Sequence, residues 1–277
     1  MSFSMIRRTV LSAAVCGLIY LSVGCRFEPP PDTSKKKAVF VFCDLTGSLA
    51  KSERAQAADL TGRLLDKLPS NAAYMVLPIN PITEKTETIL KPFIPDSSNQ
   101  ESAGSYKEQQ KQVIKNEALK LDEAINKKGQ TPERTCILNG LRRASEFFAN
   151  LPQDKYEREL IFISDMFEEC QHVPENTGAP ISLTEQNIQS QIKLLDNLDL
   201  PNFSSVRITI IVPGTDEVLI GNSNSTGSPK PSRQALNLFW SKVFQRCKRE
   251  TPLSLDDWNT ASIPERIFQI QDASFQK

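Results

Sequence analysis

The chain has 277 residues, enough for one substantial domain, and 39% of them are hydrophobic, which allows an ordinary buried core. Its 33 basic and 33 acidic residues balance, so the charge gives no reason to expect a nucleic-acid partner. The six cysteines contain no Cys-x-x-Cys spacing, which argues against a cysteine-based zinc site.

The first 25 residues have the pattern of a targeting segment. Arg7 and Arg8 precede an apolar run over residues 10–24, which is short for a membrane-spanning helix of about 20 residues. The run ends in the letters LSVGC and resembles the signal of bacterial lipoproteins, in which a small residue precedes a lipidated cysteine. The resemblance implies a lipid at Cys25 and a place in the bacterial cell envelope, facing the periplasm or the exterior. A secreted protein without lipid and an uncleaved anchor remain as alternatives.

Residues 26–37 are predicted to be a tether, and residues 38–277 are predicted to be the folded domain. Three consecutive prolines at 29–31 favour an extended chain, and the three lysines at 35–37 are expected to lie in solvent. Beyond Cys25 the sequence leaves three disulfide connectivities open, and Cys43 and Cys136 are equally consistent with buried apolar side chains. The cysteines concerned are Cys43, Cys136, Cys170 and Cys247.

Apolar runs that suit strands alternate with segments of helical periodicity along the rest of the chain. Strands are predicted over residues 38–42, 72–79, 87–94 (a weaker pattern), 159–163 and 206–212. Helices are predicted over residues 49–68, 106–126, 137–148, 184–198 and 233–249. This alternation predicts an α/β fold, with a Rossmann-like, doubly wound, mainly parallel sheet flanked by helices.

Short polar side chains stand where the predicted strands end or a helix begins. Asp44, Thr46 and Ser48 alternate after the first strand, Thr135 precedes a helix, and Asp165 follows a later strand. The carboxyl edge of a parallel sheet is where ligands bind, and carboxylates and hydroxyls suit Mg²⁺, Mn²⁺ or Ca²⁺. Ser48 and Thr135 also suit helix caps. Taken alone, each of their segments is therefore explained equally well without a metal.

Taken in order, the three segments resemble the metal-ion-dependent adhesion site of von Willebrand factor A domains. That motif has Asp-x-Ser-x-Ser after the first strand, a threonine before a helix, and an aspartate after the fourth strand, usually followed by glycine. Here Thr46 replaces the first serine, and Met166 stands where the family has glycine. Thr135 matches the middle segment, with Thr131 as a second choice. The resemblance covers about residues 36–250.

The resemblance implies a von Willebrand factor A fold and a divalent ion, Mg²⁺ or alternatively Mn²⁺ or Ca²⁺. In the family the hydroxyls bind the metal directly, the acids often act through water, and one position stays open for an Asp or Glu of a protein partner. Carried over to this chain, the metal site consists of Asp44, Thr46, Ser48, Thr135 and Asp165. Glu168 and Glu169 lie beside this rim and are expected to be solvated surface residues, with tuning of the metal site as the alternative.

These observations together predict a membrane-anchored, metal-dependent protein-binding module for adhesion or assembly, and not an enzyme. A metal-independent envelope scaffold is the first alternative and a hydrolase the second. Against the hydrolase, Thr46 stands where phosphatases of the haloacid dehalogenase type need a second acid, and the Gly-x-Ser-x-Gly motif is absent. His172 is the only histidine, and its loop position predicts an exposed side chain.

Overall fold

The computed structural model describes residues 35–46, 48–79, 92–95, 102–128, 135–169, 183–214, 231–247 and 258–260. These residues form a parallel sheet with helices on both faces. The strands are β1 (Lys36–Asp44), β2 (Ala73–Ile79), β3 (Tyr156–Ile163), β4 (Val206–Val212) and β5 (Trp258–Thr260). The helices are α1 (Lys51–Lys67), α2 (Ala103–Lys128), α3 (Ile137–Ala149), α4 (Ile188–Leu194) and α5 (Arg233–Arg246).

The five described strands lie in the order β2-β1-β3-β4-β5, and every neighbouring pair is parallel. The predicted doubly wound α/β sheet is therefore confirmed. From β1 the chain first crosses outward to β2 and then returns to place β3 on the other side of β1. The strand order thus reverses between β1 and β3, and in open α/β sheets such a reversal leaves a crevice at the carboxyl ends of the strands.

Each face of the sheet buries its own apolar layer because successive side chains of a strand point to opposite faces. Val39, Val41 and Cys43 of β1 pack with Leu60 and Leu64 of α1. Phe40 and Phe42 belong to the other layer, together with α3 and α5. The rings of Phe42 and Phe162 stack with their centroids 5.1 Å apart across β1 and β3. Burying one such side chain contributes about 1.5–3 kcal/mol, so both layers hold β1 in place.

Two predicted elements differ from those observed. The helix predicted over residues 184–198 begins only at Ile188 and continues as a short 3-10 turn over Leu195–Asn197. Thr184 and Asn187 exchange hydrogen bonds between their side chains and backbone N–H groups, and this turn delays the helix. Of the weaker strand over residues 87–94, Phe93 forms one antiparallel bridge with Tyr74, and residues 87–91 lie outside the described residues.

Lys37 contradicts the expectation that the lysines at 35–37 lie in solvent. Strand β1 begins at Lys36, so it includes the last two residues of the predicted tether. Lys37 is 3% exposed, and its Nζ lies 2.6 Å from Oε2 of Glu157. The two residues are paired in the parallel register of β1 and β3, which is a contact between distant parts of the sequence.

The cysteines beyond residue 35 fall into two kinds. Cys136 is disulfide-bonded, whereas Cys43 and Cys247 are free and buried. Burial raises the pKa of both free thiols to about 12, so they stay protonated and behave as small apolar side chains. Cys170 lies outside the described residues, as do Cys25 and the predicted signal segment. Among the helices that the structure describes, none combines the length and apolar content that crossing a membrane requires.

Candidate metal centre

The residues predicted to bind metal gather at the crevice between β1 and β3. Asp44 ends β1, Thr46 and Ser48 follow it in the loop before α1, and Asp165 follows β3 by two residues. The backbone N–H of Thr46 donates to Oδ1 of Asp44 at 3.0 Å, which curls the loop back over the end of the strand. Gly47 and the second-choice threonine, Thr131, lie outside the described residues.

Three hydroxyl groups meet at one point although they come from two distant segments. The Oγ1 atoms of Thr46 and Thr135 lie 2.6 Å apart, and Oγ of Ser48 lies 2.9 Å from each of them. Thr46 Oγ1 also donates to Oδ1 of Asp44 at 2.7 Å. Thr46 and Thr135 are fully buried, whereas Ser48 is half-buried, so the cluster meets solvent on the Ser48 side.

The two aspartates of the cluster lie close enough to interact electrostatically. Asp44 is fully buried and Asp165 is 3% exposed. Burial raises the pKa of Asp44, and the nearby Asp165 carboxylate raises it further. Hydrogen bonds from Ser164 and Thr46 act in the opposite direction, and the pKa of Asp44 is about 7. A cation between the two carboxylates would remove this repulsion and favour the charged form of Asp44.

Ser164 is a residue of the site that the sequence did not reveal. Its Oγ donates to Oδ2 of Asp44 at 2.6 Å and accepts from the backbone N–H of Met166 at 2.9 Å. Ser164 follows β3 directly, and β3 is the neighbour of β1, so the contact depends on the strand order. A serine directly before the motif aspartate is too common a pattern to have indicated this role.

Met166 and Asp165 shape the loop after β3. Met166 has φ of 62°, a left-handed conformation that glycine adopts without strain and that other residues adopt rarely. The Met166 carbonyl accepts a hydrogen bond of 2.8 Å from Nε1 of Trp240 in α5, and its side chain is fully buried. The N–H of Phe167 donates to Oδ1 of Asp165 at 3.1 Å, which fixes one oxygen of that carboxylate.

Glu168 is not the solvated surface residue that the sequence suggested, and Glu169 is half-buried. Glu168 is 3% exposed, and its Oε2 accepts from the N–H groups of Ile137 and Leu138 at 2.9 and 3.0 Å. Glu169 accepts from the N–H of Thr135 at 3.0 Å, and its own N–H donates to the Thr135 carbonyl at 2.8 Å. The two acids therefore bind the start of α3.

These contacts also settle the role of the Thr135 side chain. Cys136 occupies the N-cap position of α3, and Glu168 supplies the acceptor that a capping side chain usually provides. The hydroxyl of Thr135 points instead to Thr46 and Ser48. The alternative interpretation of Thr135 as a helix cap is therefore wrong.

The donor set fits a small, hard dication. Mg²⁺ binds its oxygen ligands at about 2.1 Å in octahedral geometry, so neighbouring ligands lie about 3.0 Å apart. The three hydroxyl oxygens, 2.6–2.9 Å apart, have nearly the spacing of one face of such an octahedron. Asp44 and Asp165 add the negative charge that the ion requires. No group of three or more His, Cys, Asp or Glu side chains suited to a metal occurs within the described residues, and this hydroxyl-rich set is of a different kind.

Comparisons with known proteins give likenesses in structure alone. No family model and no curated protein matches the sequence. A von Willebrand factor type A structure from Catenulispora acidiphila is 12% identical with a TM-score of 0.42, over 84% of this chain and 40% of that chain. Manganese-loaded TRAP protein of Plasmodium vivax is 11% identical with a TM-score of 0.40, over 84% and 71%. The SpRpn10 VWA domain is 12% identical with a TM-score of 0.36, over 83% and 88%. At these TM-scores the likeness carries no argument for function.

Proposed function

We propose that this chain is a metal-dependent protein-binding module that uses Mg²⁺, or alternatively Mn²⁺ or Ca²⁺. One observation carries the proposal: three hydroxyl groups converge beside two buried carboxylates at the crevice between β1 and β3. The residues that would hold the ion are Asp44, Thr46, Ser48, Thr135 and Asp165.

The bound ion would supply a positive charge with an open coordination position for an Asp or Glu of a protein partner. The chain's own residues prepare that position. The β1 and β3 ends hold the two carboxylates, and the loop before α1 presents its hydroxyls beside them. The half-buried Ser48 marks the side from which a partner reaches the cluster. A charged contact at a partly desolvated site can dominate a modest interface.

The proposal includes attachment to a membrane through lipid at Cys25, in a bacterial cell envelope. Its support is the LSVGC sequence at the end of the apolar run. Metabolic labelling with a fatty acid is expected to label the wild type and not Cys25→Ser, and the labelled protein is expected to sediment with membranes. Equal absence of label in both proteins would overturn the anchoring.

The module is proposed to be non-catalytic, so a screen of phosphate-ester and acyl-ester substrates is expected to detect no turnover above the Asp44→Ala background. A metal-independent scaffold is the second candidate. The observation in its favour is that Asp44, Thr46 and Ser164 already satisfy one another by hydrogen bonds. Metal titration separates the two candidates.

Calorimetric titration with Mg²⁺ and Mn²⁺ tests the site. The wild type is expected to bind either ion and to gain stability by mass action, about 2.7 kcal/mol at an ion concentration 100 times Kd. Asp44→Ala is expected to abolish binding and leave the metal-free fold intact. The control is Asp196→Ala, which removes an exposed acid that pairs with Arg246. Equal metal binding in wild type and Asp44→Ala would exclude this site.

Partner binding is tested by capture from envelope extract with Mg²⁺ or with excess chelator, followed by identification of the captured proteins. The proposal expects a partner that is retained with Mg²⁺, released by chelator, and absent with Asp44→Ala or Asp165→Ala. A partner that is retained equally by the wild type in chelator and by Asp44→Ala would exclude coordination as the means of recognition.

A further inference from the structure

We propose that Glu168 and Glu169 are positioning residues, which hold Thr135 at the metal site without touching the ion. This inference deepens the proposed function and rests on it for its metal step. It concerns two acids on the loop after β3 that bind the segment in front of α3.

The first step of the argument is the position of Thr135 in the chain. It lies just before α3, where the first N–H groups of the helix need acceptors. Cys136 holds the N-cap position of α3, and its side chain makes no cap hydrogen bond. The Glu168 carboxylate accepts from Ile137 and Leu138 instead, so the start of the helix is satisfied without the hydroxyl of Thr135, which contacts the cluster.

The second step is the charge of the Glu168 side chain. It is 3% exposed, and a carboxylate at that depth is costly unless hydrogen bonds compensate for its lost hydration. The two N–H groups at the positive end of the α3 dipole provide that compensation. Hydrogen bonds to a charged group are stronger than those between neutral groups, so this contact holds the start of α3 to the loop after β3.

The third step is the reciprocal bond of Glu169. Its carboxylate accepts from the N–H of Thr135, and its N–H donates to the Thr135 carbonyl, so both backbone groups of Thr135 are fixed. Asp165 lies on the same loop. The two glutamates therefore fix the position of Thr135 relative to Asp165. Both of these residues are predicted metal ligands, and they lie 30 residues apart in sequence.

Hydrogen exchange of the metal-free full chain tests the positioning directly. Glu168→Ala is expected to speed exchange at Ile137 and Leu138 at least tenfold, and Glu168→Gln, which keeps an acceptor oxygen, is expected to restore most of the protection. The matched control is Glu159→Ala, because Glu159 is also a buried acid of the β3 region but bonds to Thr209, away from the cluster. Unchanged exchange over residues 135–138 in Glu168→Ala would overturn the inference.

Binding of Mn²⁺ tests the consequence for the site. Glu168→Ala is expected to weaken Mn²⁺ binding about 10–100-fold, the usual effect of removing a group that orients a ligand. Proton relaxation of the Mn²⁺-bound protein is expected to show one additional metal-bound water, since water would replace the Thr135 hydroxyl. Glu159→Ala is expected to change neither value.

The outcomes separate the inference from the proposed function. Normal Mn²⁺ affinity and water number in Glu168→Ala overturn the inference alone, as does an equal loss of affinity in Glu159→Ala. A wild type that binds no Mn²⁺ overturns the proposed function and the metal step of the inference together. Rescue by Glu168→Gln in both exchange and affinity supports the assignment.

Discussion

Asp44 combines burial with repulsion from a second acid, and both effects favour its neutral form. Its ordinary pKa of 3.8 rises to about 7, with desolvation as the larger cause and Asp165 as the second. Hydrogen bonds from Ser164 and Thr46 keep the shift from being larger. Without a cation, the folded protein therefore holds a proton on Asp44 at a pH where the unfolded chain has lost it.

The metal-free protein is accordingly expected to lose stability as the pH rises from about 4 through about 7. Below that window both states hold the proton and the contribution of Asp44 is fully present, and as the pH rises through the folded pKa it is lost. Denaturant unfolding at pH 5 and pH 8 measures the difference, which Asp44→Asn is expected to remove. Saturating Mg²⁺ is expected to restore stability at pH 8, because the ion favours the carboxylate. The prediction would be contradicted if, without Mg²⁺, the wild type and Asp44→Asn showed the same difference in stability between pH 5 and pH 8.

Met166 and Ser205 share a left-handed backbone and differ in what their side chains do. Met166 has φ of 62° and Ser205 has φ of 63°. Such a conformation costs a residue with a side chain about 1–2 kcal/mol. The Met166 side chain is fully buried in the layer that contains α5, whereas Oγ of Ser205 is buried without a hydrogen-bond partner among the described residues.

The two glycine substitutions are therefore expected to have opposite effects. Met166→Gly relieves about 1–2 kcal/mol of strain but removes a buried side chain worth about 2–5 kcal/mol, so it is expected to destabilise the fold. Ser205→Gly relieves similar strain and removes an unsatisfied hydroxyl, so it is expected to stabilise the fold by about 1 kcal/mol. Urea unfolding of both variants measures the change in the free energy of unfolding. Stabilisation by Met166→Gly would show that backbone strain outweighs side-chain packing at this residue.

At the scale of elements, the start of α3 is held by two kinds of connection. The first is the hydrogen bonding to Glu168 and Glu169, and the second is the disulfide at Cys136, the residue next to Thr135. Cys43 and Cys247 are free. Under the proposed lipidation of Cys25 and removal of the segment before it, Cys170 is the cysteine left to pair with Cys136, and it follows Glu169 directly in the sequence.

Peptide mapping without reduction is therefore expected to find Cys136 linked to Cys170. Reduction is expected to lower the free energy of unfolding by about 2–4 kcal/mol, because the open chain gains conformational freedom when unfolded. Cys43 and Cys247 serve as internal controls: both are buried with a raised pKa, so alkylation of the native protein is expected to miss them. A linkage between Cys43 and Cys247 would contradict the assignment.

At the scale of the whole molecule, the sequence predicted those features of the fold and the site that depend on patterns of neighbouring residues. The apolar run before Asp44 indicated a strand buried on both faces, and the sheet order gives β1 a neighbouring strand on each side. The alternation of Asp44, Thr46 and Ser48 is likewise local, so these site candidates were visible in the sequence. The convergence of Thr135 on them was expected only through the family resemblance.

The contacts that the sequence missed all depend on tertiary structure. Ser164 reaches Asp44 because β3 lies beside β1, and Glu168 reaches the N–H groups of α3 across about 30 residues of sequence. Lys37 resembled part of a solvated lysine run, but its partner Glu157 is 120 positions away. Polar residues with distant partners carry no periodic signal, which explains why Lys37 and Glu168 were expected to lie in solvent and why Ser164 was given no role.

The last prediction concerns where the folded domain begins. A chain that starts at Ala38, the boundary suggested by the sequence, lacks Lys37 and the Lys36 N–H that donates to the Lys155 carbonyl at 2.9 Å. Glu157, whose side chain is 20% exposed, would lose its close Lys37 partner. Removing one member of a buried ion pair costs about 3–5 kcal/mol, with the lower end expected because Glu157 keeps some contact with water.

Thermal unfolding of five proteins tests this boundary. A chain starting at Thr33, where the compact unit begins, is expected to melt like the full chain, and the chain starting at Ala38 is expected to melt markedly lower. In the chain from Thr33, Lys37→Met keeps the length of β1 but removes the charge, and it is expected to reproduce most of the loss. Lys155→Met, which changes an exposed lysine in the turn just before β3, is the matched control and is expected to leave the melting temperature unchanged. Equal melting of the chains from Thr33 and Ala38 would place Lys36 and Lys37 in the tether after all.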